Sequence, residues 1–152
     1  MTESDPLPPP GYDTADDPRR VVLADLVARL AAGVAAGARG YEAAASRAEG
    51  GLRHGLEALA RAKHAEAAGL VPLARSLGVS APLLPPPLPS RAPVSWGEIL
   101  GEAFQAERVL EGVGRELAGL TSEPTVRALA TRLIAGVSRD REEVRRLYLR
   151  YT

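Results

Sequence analysis

Apolar residues recur in steps of three and four along four separate stretches of this chain, and that rhythm is the pattern of a helix buried on one side. The stretch "LRHGLEALARAKHAEAAGLVPLARSLG" aligns Leu52, Leu56, Leu59, Leu70, Leu73 and Leu77. A later one aligns Val126, Ala130, Leu133, Val137, Val144, Leu147 and Tyr151. The first carries Leu23, Leu26 or Val27, Leu30, Val34, Ala38, Tyr41 and Ala45, and the third carries Leu100, Ala103 and Leu110. A stripe sustained over many turns is buried only against other helices of similar length. Composition agrees: alanine, leucine and arginine dominate, aromatics make up 4%, and β-branched strand runs are missing. The expectation is an all-α bundle, one domain in 152 residues.

Punctuation divides the chain. Residues 1–17, "MTESDPLPPPGYDTADD", are polar and proline-rich without period, the composition of a disordered or loosely docked tail. Asp17 before Pro18 reads as a helix N-cap and first turn. Helices are expected over about 18–49, 51–77, 96–120 and 123–150, within a bundle spanning 18–152. Gly50 and Gly51 end the first, and Gly78 is a left-handed stop for the second. Pro72 predicts a kink or break near Gly69. Ser95 with Glu98 forms a capping box, and Ser122 with Pro124 marks the last start.

The connections are unequal. Two are tight and force antiparallel hairpins, whereas the crossover over 79–95 holds six prolines between Pro82 and Pro93. At polyproline spacing about 15 residues reach roughly 45 Å, against roughly 38 Å for a helix of about 25 residues. The linker can therefore run the length of the bundle, giving two hairpins joined end to end. Its Pro85, Pro86, Pro87 and Pro89 also offer a segment for a protein partner.

Several function classes fall away. Nineteen basic residues balance nineteen acidic ones, so no overall field attracts nucleic acid or an anionic membrane. Arg139, Arg141, Arg145, Arg146 and Arg150 crowd the last helix as a solvated face, and no nucleic-acid partner is expected. Cysteine is absent and histidine limited to His54 and His64, which excludes thiolate sites and histidine-rich metal sites. "PRRVVLADL" has the twin arginines of an export signal, but Asp25 and Arg29 interrupt the apolar stretch that follows. No run is read as long and apolar enough to span a bilayer, and a cytoplasmic protein is expected.

The stripes are interrupted by charge. Lys63 and Glu66 continue the second stripe through its middle, Asp140 occupies a core position of the fourth with Glu143 on its flank, and Glu107 lies near the stripe of the third. At this point the chain resembles the ferritin-like superfamily, particularly its rubrerythrin and bacterioferritin branches. In those families two helices each give an inward Glu-x-x-His pair and two each give a single Glu, and the set holds two iron or manganese ions. The second-helix pattern falls on Lys63, His64, Ala65, Glu66 and then Leu70. The fourth-helix pattern falls on Asp140, Arg141, Glu142, Glu143 and then Leu147, the third-helix Glu on Glu107 and the first-helix Glu on Val34.

The departures carry the functional expectation. Lysine puts a cation where the resemblance implies a metal, valine removes a ligand, and both histidine positions hold glutamates; His64 points about 100° away from Lys63. Carboxylates buried together repel and take up protons, and a lysine supplies the countercharge. The expected arrangement is a partly buried salt-bridge cluster of Lys63, Glu66, Glu107, Asp140 and Glu143, with no cofactor. The expected role is non-catalytic, structural or protein-interacting, as a homodimer or with a partner held through the tail or crossover. An iron- or manganese-binding oxidase or iron-handling protein, with Glu66, Glu107, Asp140 and Glu143 as ligands, is one alternative; a proline-segment adaptor is another. Gly33, Gly37 and Gly40, at turn spacing, predict close helix packing, and Tyr41 is placed to bond Glu107.

Overall fold

The computed structural model describes residues 18–79 and 95–152. They form four helices: α1 (Pro18–Ala45), α2 (Gly50–Ser76), α3 (Trp96–Leu120) and α4 (Pro124–Tyr151). The proline segment, with Pro85, Pro86, Pro87 and Pro89, and the N-terminal segment lie outside the described residues.

The helix ends follow local chemistry. α1 stops at Ala45 rather than near 49, because the turn tightens: Arg47 N–H donates to Ala44 O and Ala48 N–H to Ala45 O, each three residues back. Gly50, at φ +59°, then reverses the chain into α2. α2 runs unbroken through Pro72, correcting the expected break. Ala68, whose carbonyl Pro72 cannot bond, is exposed, so the lost bond faces water. α2 closes on Gly78, at φ +71°, with Gly78 N–H donating to Arg75 O at 3.1 Å and Val79 N–H to Ala74 O at 2.8 Å. Ser95 Oγ caps α3 by accepting from Glu98 N–H. The N-cap of α4 is Glu123 rather than Ser122, with Thr121 Oγ1 accepting from Glu123 N–H.

α1 packs on α2 and α3, and α4 packs on α3 and α2, while the backbones of the diagonal pairs stay apart and Lys63 of α2 reaches across the centre to Glu107 of α3. Leu26, Leu73, Leu117 and Val126 gather at one end and Tyr41, Leu52, Leu100 and Leu147 at the other, so the neighbours run antiparallel. α2 therefore ends, and α3 begins, at opposite ends of the bundle, and residues 80–94 connect those ends. The apolar core is split in two. One half gathers Leu26, Val27, Leu30, Val34, Leu73, Leu117, Val126 and Leu133. The other gathers Tyr41, Leu52, Leu56, Leu59, Leu100, Val144 and Leu147.

α1 corrects one expectation. By length and composition alone it is apolar enough to cross a membrane, with an 18-residue stretch of mean hydropathy 1.8. Alanine and valine raise the average despite Asp25 and Arg29. In the bundle its Leu26, Val27, Leu30 and Val34 are buried against the other helices.

Candidate functional site

Between the two apolar halves lies a polar layer one helical turn thick. On α2, Lys63 follows Leu59 by four residues and faces inward, fully buried at 0% exposure. Its alkyl stem lies over Gly37, where an added Cβ would stand 3.4 Å from Lys63 Cδ; the glycine leaves room for the stem. Its Nζ meets Glu107 Oε2 of α3 at 2.6 Å, Glu66 Oε1 on its own helix at 2.9 Å and Asp140 Oδ2 of α4 at 3.0 Å. Tyr41 of α1 completes the layer, its hydroxyl donating to Glu107 Oε1 at 3.2 Å. Every helix contributes one or two groups.

One cation faces three carboxylates, and the protonation states follow from that excess. Burial, together with a hydrogen bond to Asp140, pushes Glu66 up to about 8 against the pull of Lys63. At neutral pH Glu66 thus keeps its proton. Burial also raises Glu107, although Lys63 opposes it. Burial alone would lower the Lys63 ammonium, but Glu107, Asp140 and Glu66 outweigh it and hold the pKa above its ordinary value. The Tyr41 hydroxyl is driven up by burial and then by Glu107, so it stays a donor. Asp140 Oδ2 has no hydrogen-bond partner among the described residues, although it lies 3.0 Å from Nζ; it is held by charge, off the hydrogen-bonding direction.

Glu143 does not join this layer. It turns outward to Arg146, with Oε1–Nη2 at 2.6 Å and Oε2–Nε at 2.9 Å. Arg146, one turn further on the exposed side, captures it, whereas Glu66 is held inward by the buried lysine. Of the predicted packing glycines, Gly33 is crowded, with an added Cβ 2.5 Å from Leu110 Cδ2, and Gly37 meets Lys63. Gly40 meets nothing within 4 Å among the described residues. Close approaches that the pattern did not single out occur at Gly55 against Leu147 and Gly114 against Ile134. His54 and His64 are exposed, and His64 pairs with Glu42.

A second buried charge escaped the sequence argument. Glu111, 4% exposed, bridges Arg115 and Arg141, each at 2.6 Å. Its signal was its spacing, four residues after Glu107 on the same face of α3.

The four antiparallel helices, the end-to-end connection and the polar layer across the middle decide the architecture. The fold is ferritin-like. It is similar to a solved structure described as a ferritin-like, diiron-carboxylate protein from Bacillus anthracis str. Ames. The TM-score is 0.67 and the identity 20%, covering 86% of this chain and 97% of that one. No family model and no curated protein sequence matches the chain.

A ferritin-like bundle can hold two metals only where its inward donors leave a place for them. Here the donors do not fit. Three carboxylates converge on a nitrogen that already carries charge, and Val34 is the inward group of α1 near the layer. A divalent ion about 3 Å from that ammonium would meet repulsion on the order of 10 kcal/mol at an effective dielectric of about 20. Among the described residues no group of three or more His, Asp and Glu side chains is arranged to hold a metal ion.

Proposed function

We propose that this chain is a non-catalytic ferritin-like bundle, closed at its centre by its own lysine, with a structural or protein-interaction role. The observation that carries the reading is the convergence of Glu107, Glu66 and Asp140 on Lys63 Nζ within 3.0 Å. The similar Bacillus anthracis protein is described as diiron-carboxylate. This chain keeps carboxylates but supplies the cation from its own backbone-tethered side chain, and a bundle so neutralised has no open coordination position for redox chemistry. What it retains is a rigid four-helix scaffold whose surfaces are free to engage a second copy or a protein partner.

Elemental analysis tests this directly. Protein purified without chelator from iron- and manganese-supplemented medium carries well under one ion per chain. About two tightly held ions per chain, the stoichiometry of a two-metal bundle, would overturn the reading.

A further inference from the structure

The groove between α2 and α4 is about 500 Å³ in volume. Its walls include Leu70, Leu129, Leu133 and Gly136, with Glu66 and Asp140, both turned to Lys63, where the groove meets the polar layer and Arg132 and Arg139 on its rim. Both arginines are exposed, and neither has an acidic partner among the described residues. The two acids in the groove are already answered by Lys63, so its free surface, leucines edged by two exposed cations, fits an extended segment that is apolar in the middle and acidic around it.

The chain carries such a segment. Residues 1–17 hold five acidic side chains, Glu3, Asp5, Asp13, Asp16 and Asp17, and no basic one. Between the acids stand Leu7, Pro8, Pro9, Pro10 and Tyr12. The whole chain is formally neutral, so the remainder carries five positive charges in excess, and the neutrality is a balance between this segment and the bundle. The proline segment 80–94, the other candidate within the chain, has no acidic residue.

Position agrees with charge. Residues 1–17 join the bundle at Pro18, at the end where α2 finishes: Arg20 Nη2 donates to Ser76 O at 2.9 Å. α4 begins at the same end, since Leu26, Leu73 and Val126 share one apolar cluster. Crossing α2 takes about 10 Å, and the groove from Leu129 to Arg139 is about 15 Å long at helical rise. Seventeen extended residues reach roughly 55 Å, enough with slack.

We propose that residues 1–17 dock in cis along the α2/α4 groove, acids on Arg132 and Arg139 and the Leu-Pro-Tyr stretch on the leucines. The inference does not depend on whether the Lys63 layer excludes a metal, although Glu66 and Asp140 of that layer border the groove. It adds an intramolecular cover to this face and defines what a partner would have to displace.

The absence of cysteine allows a clean test on the full chain. Ser4→Cys carries a nitroxide, and amide signals are compared before and after its reduction. The expected result is signal loss concentrated at Gly69, Arg132, Gly136 and Arg139. That loss disappears in Arg132→Glu/Arg139→Glu and in Glu3→Lys/Asp5→Lys/Asp13→Lys, the second of which leaves the bundle untouched. Loss spread evenly or centred on the α1/α3 face overturns the proposal, as does loss that survives both charge reversals. A mixture of nitroxide-bearing chains with isotope-labelled, unspun chains separates the remaining occupant: loss appearing in the mixture assigns the groove to a second copy and overturns docking in cis. No localised loss in the isolated chain leaves the groove to a separate partner protein and overturns it equally.

Discussion

Lys63 is the residue on which the centre of the molecule turns. Replacing it by methionine leaves Glu107, Glu66 and Asp140 buried without a cation, and removal of one side of such a cluster costs about 3–5 kcal/mol. Urea denaturation of Lys63→Met, read as the shift in unfolding free energy, checks this; a change under about 1 kcal/mol would mean the carboxylates simply protonate. Glu66 makes a prediction of opposite character. Its folded pKa, about 8, lies above its ordinary 4.5, so its contribution is complete below 4.5 and is lost as pH rises through 8. Lys63 and Glu107 are also raised, so they too favour the folded state toward lower pH. Glu66→Gln, which keeps a neutral group able to bond Asp140 and Lys63, removes the titration. Wild type should therefore lose stability relative to Glu66→Gln between pH 5 and pH 9, measured as the difference in denaturation midpoints. At this scale the sequence was legible where charge broke an apolar stripe, as at Lys63 and Asp140. It was less so where a charge sat one position off the stripe: Glu111 is buried by two arginines and Glu143 is drawn out by one, and competition among neighbouring guanidinium groups is not written in spacing.

At the scale of the helix, glycine has two meanings that spacing cannot separate. Gly33 and Gly40 look alike in the pattern, yet a Cβ added at the first would stand 2.5 Å from Leu110 Cδ2, and one added at the second would meet nothing within 4 Å among the described residues. Gly40→Ala should raise stability by up to about 1 kcal/mol through helix propensity alone. Gly33→Ala should lower it, because overpacking costs about 1–3 kcal/mol and exceeds that gain; thermal melts of the two variants side by side give opposite shifts. Pro72 teaches the same lesson about orientation. An interior proline costs a helix the bond to the residue four back, and here that residue, Ala68, is exposed, so its carbonyl can turn to water and α2 continues. The early end of α1 follows from three-residue hydrogen bonds after Ala44, a choice made by the turn into Gly50 rather than by the apolar period.

At the scale of the molecule, the topology was the most legible part. Stripe period identified four helices, and the length of the second connection against two short ones allowed opposite ends to be joined, as the antiparallel neighbours show. The splitting of the core was legible too, because charged residues fall at the middle of three stripes and so at one level of the bundle. What period and composition did not reveal is the depth of the grooves, which depends on interaxial spacing set by many side chains at once. Hydropathy alone does not place α1, because a helix rich in alanine and valine scores alike whether its apolar face meets lipid or other helices. The layer around Lys63 has one further consequence for the whole. An ion borrowed from solution is held by mass action, and its occupancy follows supply and dilution. A positive group made at the ribosome along with its acidic partners arrives in fixed ratio, needs no delivery, and cannot be washed away.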